Sequence, residues 1–146
     1  MTVMDTVAIR ETIPNRFPLF YIDQVTALTP DVAIEAEKYV SIAEDHLVGY
    51  LPAELIMPPS LIIETLAQTA SILILKSPQF AHRTAYLASV QDARFPRPVP
   101  CGSVLKLQVT LTKVRRNTGA VHTTATVNGE LVAEAELHFI VQGVDA

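Results

Sequence analysis

Ser60, Glu64 and Gln68 recur at intervals of four residues, a spacing that stacks side chains on one face of a helix. Around them Leu61, Ile62, Ile63, Leu66, Ala67, Ala70 and the run Ile72 to Leu75 are apolar. A helix apolar nearly all round is expected inside the fold rather than on its surface. A carboxylate on such a helix must be paired, hydrogen-bonded or protonated. Glu64 is therefore a candidate for proton transfer, or for a tie to a neighbouring loop. Gln68, one turn on, is placed to orient it or to bond backbone. His46 lies four residues before Tyr50, so a helical turn over Asp45 to Gly49 would put both on one side. His82, His122 and His138 are not spaced as metal ligands, and Cys101 is the one cysteine. We expect no metal and no cofactor.

The elements that must position these residues follow from periodicity and punctuation. Pro59 suits the first helical turn, where a missing N–H costs nothing, and Ser77-Pro78 ends the helix. Leu105, Leu107, Val109 and Leu111 alternate with Lys106, Gln108, Thr110 and Thr112, the period of a half-buried strand over Val104 to Val114. Ala120 to Val127 and Leu131 to Val141 are two more strands, joined by Asn128-Gly129, a two-residue hairpin signal. Gly119 is expected to mark the preceding turn. Phe20 to Leu28 and Val32 to Tyr39 read as a hairpin around Thr29-Pro30-Asp31, and Thr84 to Asp92 as a further strand. Two strands, a buried helix and four strands make an α+β pattern, an antiparallel sheet wrapped around one central helix.

Composition narrows the class. The chain has 146 residues, 49 % hydrophobic and 18 % charged, with a formal net charge of −4. This reads as a single domain over residues 1–146 and excludes intrinsic disorder. The apolar share is high for so small a monomer, so part of it is expected in a subunit interface or a ligand tunnel. Acidic balance argues against nucleic-acid binding. The start carries no signal-peptide pattern, and the most apolar stretch is too short and polar to span a bilayer. We expect a soluble cytoplasmic protein that does not engage membranes.

Five segments, in order, resemble one family. Ile13-Pro14-Asn15-Arg16-Phe17-Pro18 resembles an opening IPHRYP, and Tyr21-Ile22-Asp23-Gln24-Val25 a strand LVDRV. The run from Met57 to Gln68 resembles the helix entry MPGVLIIEALAQ, Ala93 to Val99 resembles ARFKRPV, and Gly129 to Leu137 resembles the closing strand. The chain is thus similar to the FabZ-type 3-hydroxyacyl-[acyl carrier protein] dehydratases, of the hot-dog fold, from Ile13 to about Val141.

The resemblance implies an active site with a base histidine, an acid on the helix and an oxyanion donor at the helix start. Glu64 matches the acid. Tyr50 stands where the family has the histidine of a GHFPG motif, and Pro59 where it has a glycine whose N–H polarises the substrate carbonyl. A phenol titrates near ~10 and is a poor base; a proline has no N–H to give. His46 is then the nearby substitute base, and the free amides of Ser60 and Leu61 are substitute donors. Tyr50 is expected to plug the tunnel mouth, its hydroxyl bonded to Glu64. Met57, Pro59, Ser60, Leu61 and Gln68 are the expected substrate contacts. The partner implied is an acyl carrier protein or a CoA-linked acyl thioester. Arg94 and Arg97 match arginines of the family and are expected to meet an acidic carrier; Lys113, Arg115 and Arg116 complete the basic group.

Three readings follow from this pattern. One is a dehydratase or hydratase of acyl thioesters in fatty-acid or polyketide-type synthesis, with a degraded site. Another is a non-catalytic acyl-binding subunit that pairs with a histidine-bearing paralogue, since the family builds its site across two chains. A third is a thioesterase using Glu64 as base or nucleophile. A homodimer or higher homo-oligomer is expected from the family.

Overall fold

The structure is a computed structural model and describes residues 1–51 and 53–143. Helix α1 (Thr6–Thr12) is followed by strands β1 (Gln24–Thr29) and β2 (Ala33–Tyr39), then by a short helix α2 (Asp45–Gly49) and the long helix α3 (Pro59–Leu75). Strands β3 (Thr84–Arg94), β4 (Val104–Arg115), β5 (Thr118–Val127) and β6 (Glu130–Gln142) complete the order. The six strands form one antiparallel sheet in the order β1-β2-β4-β5-β6-β3. α3 packs across its inner face against β2 to β6. This is the α+β hot-dog architecture.

Burial explains the arrangement. On β4, Leu105, Leu107 and Val109 are buried while Lys106, Gln108 and Thr110 are exposed, as the alternation requires. They meet Ile62, Leu66, Ile72 and Leu73 of α3 in one core, each such side chain contributing ~1.5–3 kcal/mol on burial. At the start of α3, Pro58 O accepts from Leu61 N at 2.9 Å and Ile62 N at 3.1 Å. At its end Lys76 N bonds Ile72 O at 3.1 Å, and Pro78 cannot extend the helix. The β5–β6 turn places Asn128 at φ 51° and Gly129 at φ 81°, the left-handed pair that a two-residue hairpin demands.

Two expectations need correction, and one element is added. α1 was not read from the sequence; it is short, and Asp5 caps it by accepting from Ala8 N at 2.9 Å. β1 begins at Gln24 rather than Phe20, because the preceding backbone is tied elsewhere: Tyr21 N donates to the Gln68 side chain. Gly119 is not in a turn. It lies inside β5 opposite Phe139, and the turn before it is made by Arg116, at φ 58°.

β3 is the last strand of the sheet, paired only with β6. Tyr86, Leu87 and Val90 are exposed along it. An eleven-residue edge carrying exposed apolar side chains is a ready template for another strand.

Candidate active site

Glu64 sits one turn into α3, half-buried, with Gln68 four residues on. Gln68 is buried and uses its whole amide. Its Nε2 donates to Glu64 Oε1 at 3.0 Å and to Leu19 O at 3.1 Å, and its Oε1 accepts from Tyr21 N at 2.8 Å. One side chain thus orients the carboxylate and staples the segment Leu19 to Tyr21 onto the helix. Both roles read for Gln68 from its spacing are filled together. Glu64 Oε2 makes no hydrogen bond among the described residues, which leaves one oxygen for a ligand.

Beside Glu64 is a cavity of about 100 Å³. Glu64, Ala67, Gln68, Ser71 and Ile74 line it from α3, Asn15 from the loop after α1, Ala85, Tyr86 and Leu87 from β3, and Val121, Leu137 and Phe139 from the sheet. The helix residues follow one stripe at spacings of three and four, and Ala67, Ala70 and Ser71 are small, which makes the room. Glu64 and Gln68 of that stripe were legible in the sequence from their spacing; the small residues beside them were not read there as lining a cavity. The strand residues were not, because register brings them in: Leu87 pairs with Phe139, and Val121 with Leu137.

The other expected site residues lie elsewhere in the protomer. Tyr50 caps the C-terminal end of α2 and is 43 % exposed. It does not line the Glu64 cavity, and the expected bond from its hydroxyl to Glu64 is not made within the chain; the carboxylate takes its bond from Gln68. Met57 is buried in the core with its N–H on Val99 O at 2.8 Å. Leu61 was expected to hold a free amide; its N–H is donated to Pro58 O. Ser60 is exposed in the first turn, and its N–H is unbonded among the described residues. Pro59 occupies the first helical position.

His46 is on α2 and packs edge-on against Tyr21, ring centroids 5.6 Å apart at 78°. Its Nε2 is buried without a hydrogen-bond partner among the described residues. Tyr21 is itself buried, with Lys38 Nζ 5.4 Å from its ring centre. Burial pushes the Tyr21 phenol above its ordinary pKa, and the charges of Glu44, Asp45 and Glu64 push the same way. The phenol therefore stays neutral and keeps its O–H as a donor. Lys38, buried too, pairs with Glu44 at 2.5 Å, and Glu44 accepts from Ser41 N at 2.9 Å. This pair clamps the start of α2. Among the described residues, His46 is thus linked to Glu64 through Tyr21 and Gln68.

Of the two arginines expected to meet a carrier, one is already engaged with an acid and the other lies among acids without an ion pair among the described residues. Arg97 pairs with Glu130 at 3.0 Å. Arg94 lines a dish with Asp92, Glu134, Glu136 and His122. No cluster of His, Cys, Asp and Glu among the described residues could hold a metal ion, and no helix among them is long and apolar enough to cross a membrane.

A hot-dog sheet around a helix that carries one oriented carboxylate beside a cavity defines a class, and comparison with known proteins places the chain within it. Residues 13–136 match the FabA-like domain family. The chain is 48 % identical to a 3-hydroxyacyl-[acyl-carrier-protein] dehydratase FabZ of Pediococcus pentosaceus, over 99 % of this chain and 97 % of that one. It is 44 % identical to the FabZ of Lactiplantibacillus plantarum, over 100 % and 99 %. Among solved structures it is similar to the dehydratase heterocomplex ApeI:P from Xenorhabdus doucetiae, with a TM-score of 0.79, 19 % identity, and 92 % and 91 % of the two chains covered. The chain belongs to the FabZ-type 3-hydroxyacyl-[acyl carrier protein] dehydratase family.

Proposed function

We propose that this protein binds 3-hydroxyacyl and enoyl thioesters of fatty-acid synthesis at Glu64, and that its own copies carry only the acid half of a dehydratase site. The observation that carries the reading is the Gln68–Glu64 pair facing a cavity, with the second carboxylate oxygen unbonded. Elimination of water from a 3-hydroxyacyl thioester removes a proton from the carbon next to the carbonyl and expels the hydroxyl, which must be protonated as it leaves. Glu64, protonated, gives that proton. The enolate-like oxygen needs a donor; with Pro59 at the first helical position, the Ser60 N–H is the remaining one. The carbon proton needs a base, and Tyr50 is a poor one. Losing a positioned base costs ~10²–10⁴ in rate, so homodimers turn over slowly.

The dimer forms along the exposed β3 edge, extending the sheet into a second copy. The Glu64 cavity is lined by that strand, so a second copy also closes the site. Arg94 and Arg97 are proposed to meet the carrier protein, Arg97 by exchanging Glu130 for one of its acids.

A second reading is favoured by Tyr50 itself, exposed at the end of α2: the chain pairs with a histidine-bearing paralogue and supplies Glu64 to a shared site. The solved relative named as a dehydratase heterocomplex offers a parallel. Complementation tests both. A histidine-bearing FabZ-type chain whose own helix glutamate is replaced by alanine is mixed with this chain and assayed for hydration of crotonyl-[acyl carrier protein]. Activity that appears only in the mixture, and vanishes with Glu64→Ala, supports the shared site. A silent mixture in which sedimentation detects heterodimers contradicts it. Slow hydration by this chain alone, lost in Glu64→Ala, supports the homodimer reading.

A further inference from the structure

One wall of the Glu64 cavity is held in place by a residue with no side chain. Gly119 of β5 faces Phe139 of β6 across the ladder. A Cβ built on Gly119 would lie 2.4 Å from Phe139 Cζ, 2.9 Å from its Cε1 and 2.6 Å from the Lys113 carbonyl oxygen. Atoms do not approach so closely. The backbone of Gly119 is not in the left-handed region, so glycine is needed here for space and not for conformation. The tip of the buried Phe139 ring therefore occupies the space a side chain at position 119 would need. On the other side of β6, Phe139 pairs with Leu87 of the edge strand, and both line the cavity opposite α3.

The size of the cavity has a chemical consequence. An apolar cavity of ~150 Å³ takes up one benzene, so one protomer's share of the site, about 100 Å³, holds on the order of four carbons by the same measure. Apart from Tyr86, whose hydroxyl donates to Gln142, its sheet-side wall is apolar: Ala85, Leu87, Val121, Leu137 and Phe139. Such a surface suits an alkyl chain and offers nothing to a polar one.

We propose that the Gly119–Phe139 pair sets the acyl chain length the site accepts, favouring short acyl groups over long ones. This rests on the thioester reading above. With the ring tip seated against Gly119 the cavity has its present extent. Trimming the ring opens space back to the β5 backbone, and a side chain at position 119 drives the ring toward α3.

The test is binding, which does not depend on turnover. Non-hydrolysable acyl-pantetheine thioethers with four-, six-, eight- and ten-carbon chains are titrated into the protein by calorimetry. In the wild type, affinity is expected to fall about tenfold or more from the shortest to the longest chain, since a methylene that does not fit costs tenfold or more in such pockets. Phe139→Ala should flatten or reverse that order, with Phe139→Leu between the two. Ala85→Val, which adds bulk on the β3 wall in a residue type strands favour, should steepen it without removing core volume. It keeps the inference testable if the Phe139 variants fail to fold. An unchanged chain-length order in folded variants would overturn the inference and leave the thioester reading standing. A wild type that binds none of the four would overturn both.

Discussion

Glu64 and Tyr50 stand fourteen residues apart but belong to two kinds of structure. Glu64 is built into the long helix, oriented by a buried glutamine whose amide is fully used and whose bonds reach a second segment of chain. Tyr50 ends a helix of five residues and is exposed. A change at Glu64 or Gln68 breaks bonds that hold the fold; a change at Tyr50 breaks none of those described here. On the reading proposed above, the half of the site tied to the core keeps the residues the family resemblance implies, and the half on the periphery is where the chain departs from them. Pro59 fits the same account, because at the first helical position a proline disturbs no helical hydrogen bond.

The sharpest way to break this contrast is Gln68→Ala. It leaves the Tyr21 N–H and the Leu19 carbonyl without their buried partner and frees Glu64. Stranding a buried donor costs ~1–3 kcal/mol and each lost hydrogen bond ~0.5–1.5 kcal/mol, so chemical denaturation should show a loss of about 2–4 kcal/mol. A loss below about 0.5 kcal/mol, the level of an ordinary surface change, would mean that Gln68 does not bind the two segments together. Tyr50→Ala is the matching change on the other side. It should move stability by no more than about 0.5 kcal/mol, as surface substitutions do; a larger loss in the same titration would place Tyr50 in the fold after all.

The smallest effect tests the outer face of the sheet, remote from both halves. The hydrogen bond from Lys106, 2.6 Å away, holds the Glu37 carboxyl below its ordinary pKa, against the opposing effect of burial, with a further bond from Gln24. A carboxylate whose pKa falls on folding stabilises the fold above its unfolded pKa, and loses that contribution as pH falls through the folded value. The gap in Tm between wild type and Glu37→Gln should therefore shrink as pH is lowered from neutrality through the carboxylate range. A gap independent of pH would remove the ion pair from the account.

Much of this was legible in the residues because local patterns and tertiary structure agree. The alternation of β4, the Asn128-Gly129 turn and the apolar run between Pro59 and Pro78 each satisfy one element's own physics, and the structure leaves them in place. α1 was hidden because seven residues with one buried side chain, Ile9, make little periodic signal. The early end of the strand pattern at Gln24 was hidden because a side chain far along the sequence captures the Tyr21 amide. Gly119 misled because glycine marks turns by its freedom of φ, whereas here it marks the closeness of an aromatic ring. At the site, Glu64 and Gln68 share one stripe and could be found together, while the small residues beside them gave no sign of a cavity. Asn15, Tyr86, Leu87 and Phe139 arrive through sheet register and chain path, which no spacing announces. His46 could be seen to share a turn with Tyr50, but not that its ring would pack on Tyr21, away from the cavity.

The central claim is that the scaffold is sound and the base is missing. It is tested most directly by the initial rate of crotonyl-[acyl carrier protein] hydration by the Tyr50→His, Pro59→Gly double variant beside the wild type. Restoring a positioned base and a backbone donor should raise the rate by at least ~10²-fold, and adding Glu64→Ala should abolish the gain. A wild type as fast as the double variant, or a folded double variant that gains nothing, would contradict the account.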